Sequence, residues 1–407
     1  MGDLAAQAGV PDWAKALAAT LTMQTTAALA TRVLPVVGPA VTLAAGVPPE
    51  SIGHVAAATA LGTMWFLMSG IPLLSRLGPV RLLQLGGALG AIGMLVAMTG
   101  SWPLLLLAAF LIGIAYGPSP PAGSDILNRH APSGHRSLVF SVKQSGVPLG
   151  GAIAGLMVPA AAGLWGWQAG LLAAGIVIAA SAIAVQPLRE RLDADRRREG
   201  PIPLREIFAF GRFIAPFRAL GLAPGMTALT ASGFSFAMVQ GAVFSFYVTY
   251  LAVDLSFGLI AAGAAFALMQ GVGVASRVVV GWAADRIGSA RKTLILLALG
   301  SATMATIIAL HGAGWPWYAV LTSAAVSGVA VSSWNGVYLG EVARIAPKEH
   351  VGEATAGSGF FAFLAYAISP SLCSFIIAST GSYRAAFLTV AVAPICAVLL
   401  LFRNREG

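Results

Sequence analysis

Twelve mostly apolar runs, each about 20 residues or longer, follow one another along this 407-residue chain. Short turns carrying glycine, proline or charge separate them. A run of that length matches the hydrocarbon core of a bilayer. They fall at 13–45, 51–74, 80–99, 102–127, 137–162 and 165–187, then at 218–252, 257–284, 293–312, 315–342, 352–379 and 383–402. Only 10% of the residues are charged, against about 25% in a soluble domain, so a large soluble enzyme is excluded. No run alternates apolar and polar residues as a barrel strand does. The expected fold is an all-α membrane protein with twelve transmembrane helices. Small residues crowd the runs, as in Gly86-Gly87-Ala88-Leu89-Gly90, and let helices approach closely in lipid.

One long polar segment interrupts the series, from Gln186 to about Phe217. It divides the chain into an N-terminal bundle over 1–187, a linker over 188–217 and a C-terminal bundle over 218–407. The linker reads as solvated, and Ile202 to Phe213 could form a short amphipathic helix on the membrane surface. The first apolar run, beginning near Trp13, is too long for a signal-peptide core, so no removable secretory signal is expected. Cys373 and Cys396 lie in apolar runs and read as small buried hydrophobes.

The formal net charge is +9, which in a soluble protein would suggest nucleic acid. Here 20 of the 24 cations lie at the termini, in the linker, or in the connections after spans 2, 4, 8 and 10. The opposite connections carry Arg384, Glu50 and Asp254. By the positive-inside rule the basic side, with both termini, is cytoplasmic. An inner (plasma) membrane location is expected, and the basic excess is mainly a topology signal without a nucleic-acid partner.

The two halves echo each other. Ala131-Pro132-Ser133-Gly134-His135 after span 4 matches Ala346-Pro347-Lys348-Glu349-His350 after span 10, with Asp125 and Glu341 before the respective copies. Arg76-Leu77-Gly78 with Arg81 matches Arg286-Ile287-Gly288 with Arg291. A six-plus-six repeat marks a transporter built from two related halves, with substrate held near the midplane.

Gly281-Trp282-Ala283-Ala284-Asp285-Arg286-Ile287-Gly288, followed by Arg291-Lys292, resembles the loop signature of the major facilitator superfamily. With twelve spans, the linker and the repeat, the resemblance covers essentially the whole chain. The N-terminal copy departs from the signature, with Ile71 at the glycine position and Ser75 at the aspartate. The resemblance implies two pseudo-symmetric six-helix bundles and alternating access. It also implies a charged latch at the loop ends, for which the candidates are Asp285, Arg286, Arg76, Asp125 and Glu341. An acid at a helix C-terminus opposes the local dipole and needs compensating charge. A simple basic anchor is the other reading of these loops.

Three cations remain inside spans: Arg32 in span 1, Lys143 in span 5 and Arg277 in span 8. No carboxylate lies at comparable depth. A cation at the bilayer centre costs about 2.5–3.5 kcal/mol even on the forgiving insertion scale, so these groups call for an anion, an aqueous cavity, or both. At 1.5 Å per residue, Lys143 is only about 10 Å from Arg136 and could snorkel to the surface. The run Phe140 to Gly151 resembles the fifth-helix pattern of monocarboxylate- and cyanate-transporter-like members. Arg277 is similar to an arginine that faces substrate carboxylate in the monocarboxylate and oxalate/formate groups, although their nearby acid is absent here. Tyr116, Gln144, Gln240, Gln270 and Asn335 are further candidates for substrate contact, or else hydrogen bond to neighbouring helices. Trp334, Phe234 and Phe360 read as packing.

The expected function is secondary transport of a small organic anion, with a carboxylate favoured, by a monomer in the lipid bilayer; proton symport, exchange for a counter-anion and uniport all stay open. Export of amphipathic drugs or metabolites by proton antiport is the alternative. The five histidines form no metal spacing, and neither an acidic pair nor a Gly-x-Ser-x-Gly elbow occurs. No enzyme, metal or cofactor is expected.

Overall fold

The computed structural model describes residues 10–132, 135–196, 217–312, 314–347 and 349–403. These form helices and turns, with no strand among the described residues. Span 1 is Asp12–Val36 continued by Gly38–Ala44, and span 2 is Ile52–Ser69 continued by Ile71–Leu77. Span 3 is Pro79–Ala97, span 4 is Trp102–Tyr116 with Ser119–His130, span 5 is Arg136–Gln144 with Gly146–Trp165, and span 6 is Trp167–Ala184. The second half repeats the series as Met226–Thr249, Leu259–Ile287, Ala290–Ala309, Trp317–Ala330 with Trp334–Ile345, Val351–Thr380, and Tyr383–Arg403.

Ten helices are long and apolar enough to cross a membrane, or 11 with the bent pair of span 1. Span 10 is cut at Val331–Ser333 into pieces too short to qualify alone. Two boundaries differ from expectation. Span 7 begins at Met226, because Gly225 takes a left-handed backbone with φ 81° and stops the helix running back to 218. Span 9 ends at Ala309 and leaves His311 beyond it. The surface helix anticipated over 202–213 lies outside the described residues.

The interruptions have local causes. Pro35 sits in the last turn of span 1's first segment, and the helix bends by 59° just beyond it. Span 4 breaks at Gly117–Pro118 and span 10 breaks at the repeat-related depth. Carbonyls at such breaks lose their helical partners and face whatever donor is near.

Across the halves, span 2 packs on span 11, span 5 on span 8, and span 1 on span 7. At the end away from the basic loops this packing is close. A Cβ on Gly155 would stand 2.7 Å from the Gly263 carbonyl, and Ser374 Oγ donates to the Glu50 carbonyl at 2.6 Å. At the basic end the halves part: a Cβ on Gly340, Gly352 or Gly359 would meet nothing within 4 Å.

Most of the linker's described start is solvated as expected, with Glu190, Arg191 and Asp195 exposed, but Asp193 is not. Asp193 is fully buried and accepts hydrogen bonds from the main-chain N–H groups of Val80 at 2.7 Å and Arg81 at 3.1 Å. It caps the start of span 3, whose orphan N–H groups need an acceptor. Arg191 also reaches Asp12 at 3.1 Å. The segment through Asp195 is therefore held against the first half by these contacts and by Arg129 on Asp195.

Candidate functional site: a cationic cavity between the halves

Where the halves part they leave a cavity of about 600 Å³, lined from spans 1, 2, 4 and 5 of the first half and 7, 8, 10 and 11 of the second. Its described lining holds Arg32, Lys143 and Arg277 and contains no aspartate, glutamate or histidine. The three intramembrane cations thus share one cavity.

Arg32 lies in the last turns of span 1's first segment, just before the Pro35 bend. Its guanidinium lies over the Phe244 ring, 4.6 Å from the centroid, a cation–π contact that orients the group without neutralising it. Its Nε is buried with no hydrogen-bond partner among the described residues. The phenols of Tyr116 and Tyr366 lie within electrostatic reach of Arg32 and of Arg277.

Lys143 is 2% exposed. Its ammonium donates to the Ser119 carbonyl at 3.5 Å, at the break in span 4. A Cβ at Gly123 would stand 2.6 Å from its Cε, so glycine there makes room for the side chain. The alternative for this residue, escape to the surface by snorkelling, is not taken, because the stem packs against span 4.

Arg277 donates from Nη1 to the Gln144 carbonyl at 2.8 Å and from Nε to the Ser332 carbonyl at 3.1 Å. The first acceptor belongs to span 5 and the second to the break in span 10. Gln144 and Asn335 line the cavity, as do Tyr116 and Gln240. Gln24 donates to the Tyr116 hydroxyl at 3.5 Å and accepts from Ser119 Oγ at 2.8 Å.

Gln240 Oε1 accepts from Trp334 Nε1 at 3.1 Å and from the Tyr366 hydroxyl. Trp334 and Phe360, expected to be packing residues, also form cavity wall. Trp334 does both, since it stacks on Phe236 with centroids 5.3 Å apart. Gln270 is placed elsewhere. It is fully buried in the span 5–span 8 seam against Gly151, and both amide atoms lack a partner among the described residues. Tyr366 and Phe244 also meet the site, the first as cavity wall and the second beneath Arg32. A tyrosine inside the apolar run of span 11 was the available signal for the first, and nothing marked the second.

Among the described residues, Asp125, Glu341 and Arg286 find partners within their own halves. Arg129 bridges Asp125 at 2.7 Å and Asp195 at 2.8 Å. Arg344 clasps Glu341 with two hydrogen bonds of 2.7 Å each, and Arg286 lies over Trp282 at 5.0 Å. Asp285 is exposed. Arg76 stands at the end of span 2, two residues before the positive-φ turn at Gly78 (φ 85°).

Two six-span halves around a shared cation-bearing cavity define the fold of a polytopic membrane transporter. The chain belongs to the Major Facilitator Superfamily, whose family model matches residues 20–341, and it is a multi-pass membrane protein. An uncharacterized MFS-type transporter of Mycobacterium tuberculosis is 25% identical over 360 residues, 88% of this chain and 78% of that protein. The 4-hydroxybenzoate transporter PcaK of Pseudomonas putida is 25% identical over 61% of each chain. The hexuronate transporter of Bacillus subtilis is 22% identical over 76% of this chain and 74% of its own.

Among solved structures, a POT family transporter in complex with 5-aminolevulinic acid superposes with TM-score 0.80 at 15% identity, covering 98% of this chain and 96% of that one. An inward-facing bacterial homolog of the human lysosomal transporter Spinster gives TM-score 0.75 at 16% identity, with 97% of each chain covered. The family and the named relatives are transporters rather than enzymes.

Proposed function

We propose that this protein is a secondary active transporter that moves a small organic anion, a carboxylate, across the plasma (inner) membrane by alternating access. The carrying observation is a cavity between the halves with three cations and no described acid in its lining. In a low-dielectric cavity such charges lack compensation until an anion arrives. A guanidinium suits a carboxylate in particular, because its planar fork matches the two oxygens.

Relatives named for 4-hydroxybenzoate and hexuronate transport, both carboxylates, support the same reading. So does the resemblance of spans 5 and 8 to monocarboxylate, oxalate/formate and cyanate members. The basic loops face the cytoplasm by the positive-inside rule, together with both termini, so the arrangement described here is open inward. The chain works as a monomer with its halves divided at the 188–217 linker. Asp285, Arg286, Arg76, Asp125 and Glu341 form the latch when the basic ends approach. Protons or a counter-anion balance the transported charge.

The rival cargo, a cationic amphipathic drug, finds no described carboxylate in the lining. Thermal unfolding of the purified protein with anions and with lipophilic cations separates the two, since a ligand that binds the folded state stabilises it. Stabilisation by carboxylates is expected, and stabilisation by lipophilic cations alone would overturn the reading.

A further inference from the structure

We propose that the two cavity arginines have different tasks. Arg32 seats the anion, and Arg277 is a tether that holds the halves in the arrangement seen here. The proposal rests on the anion-carrier reading above.

Arg277 is held from both halves at once, by the Gln144 carbonyl of span 5 at 2.8 Å and the Ser332 carbonyl of span 10 at 3.1 Å. The sequence frees both acceptors. Residue 148, four beyond Gln144, is a proline and has no N–H to return the helical bond. Ser332 lies in the break before the second segment of span 10 begins at Trp334. A guanidinium placed between two such carbonyls joins the bundles through charge-assisted hydrogen bonds.

The contact also marks where the halves begin to diverge. Along the span 5–span 8 seam, from the closed end, Gly155 meets Gly263, Gly151 meets Gln270, and Ser145 Oγ donates to the Val274 carbonyl at 3.5 Å. Arg277 on Gln144 comes next. One turn further on, a Cβ at Gly281 would meet nothing within 4 Å.

Arg32 is situated differently. It rests on the Phe244 ring, and its Nε is buried and unpartnered among the described residues. Arriving carboxylate oxygens meet donors there that are not already engaged. An anion seated on Arg32 that also draws N–H groups from Arg277 takes them from the two carbonyls and loosens the seam. Occupancy thereby favours the change of state, as coupled transport requires.

The test compares Arg32→Gln and Arg277→Gln in the full chain. Affinity is read by thermal stabilisation with 4-hydroxybenzoate and with glucuronate as probes. Conformation is read from the spin-label distance between L138C and I287C, at the basic ends of spans 5 and 8, with Cys396 replaced by serine. Arg32→Gln should weaken probe binding at least tenfold while leaving the empty protein's distances unchanged. Arg277→Gln should weaken binding less than about fivefold and shift the empty protein toward shorter distances. Probe added to the wild type should shift them the same way. Arg277→Lys, which can still reach one carbonyl, should fall between.

Equal loss of affinity in both variants with unchanged distances would overturn the proposal, as would undiminished binding in Arg32→Gln. Should Arg32→Gln fail to fold, Arg32→Lys keeps the charge but loses the fork, and must still weaken binding more than Arg277→Lys does. If neither probe nor any other carboxylate stabilises the wild type, the carrier reading fails. The distances in Arg277→Gln then still decide whether it is a tether.

Discussion

Asp193, in the segment joining the halves, holds the main-chain N–H of Val80 at 2.7 Å, 113 residues back along the chain. The turn at Gly78 permits this approach. Its φ of 85° is left-handed, and a Cβ there would stand 2.4–2.7 Å from atoms of the Asp193 carboxylate, so a side chain is excluded on two counts. The start of the segment joining the halves is thereby bound to span 3.

Removing the carboxylate should expose that dependence. Asp193→Ala leaves two buried N–H groups without acceptors and should destabilise the fold by about 1–3 kcal/mol. Asp193→Asn, which keeps one oxygen, should cost less. Thermal unfolding of the three proteins checks the order, and equal midpoints would contradict the capping role.

Lys143 predicts the opposite sign. A buried ammonium with one 3.5 Å hydrogen bond is a net cost to the empty protein. Lys143→Met keeps the stem's packing and should stabilise the fold by roughly 2 kcal/mol while reducing anion uptake severalfold. A variant less stable than wild type would show that the charge is already satisfied.

The closed end of the seam can be wedged. Gly155→Ala would press a methyl against the Gly263 carbonyl, at 2.7 Å before relaxation. Overpacking of this kind costs about 1–3 kcal/mol, here against one conformation only. The variant should favour the arrangement open at the end away from the basic loops. Spin-label distances between the basic ends should shorten, and a distribution matching wild type would refute the wedge.

His311 sets a pH dependence. Burial pushes its imidazole down to about 4, and Nε2 lies 2.9 Å from Ser323 Oγ. The unfolded chain takes up a proton near pH 6.5, before the folded one does. The stability contribution is thus complete above about pH 6.5 and is lost as pH falls toward 4, by about 1.4 kcal/mol per unit. Between pH 7 and pH 5 the wild type should lose about 2 kcal/mol more than His311→Gln. Parallel loss in both proteins would exclude His311 as the source.

Much of this molecule is legible in its sequence because lipid leaves few options. A backbone in hydrocarbon must satisfy itself within helices, so twelve apolar runs read directly as twelve spans. The cavity cations were legible for the same reason, since Arg32, Lys143 and Arg277 have no inexpensive alternative environment. Pairings made through the main chain left no such trace. Nothing in the sequence around Asp193 points to the N–H groups of Val80 and Arg81. Gln270 shares a helix face with Arg277, yet falls in a seam whose closeness depends on Gly151 from another span. Trp334 and Phe360 are apolar enough to pack and large enough to form wall, and only the meeting of spans 7, 10 and 11 determines that they do so.

Uptake into proteoliposomes shows whether the cationic cavity carries an organic anion. Radiolabelled 4-hydroxybenzoate and glucuronate would be measured with wild type and with Arg32→Gln, alongside a lipophilic cation. Uptake of at least one carboxylate should be saturable, compete with unlabelled anion and fall at least tenfold in Arg32→Gln. Transport of the lipophilic cation with no carboxylate uptake, or carboxylate uptake indifferent to Arg32, would contradict an anion-carrying cavity.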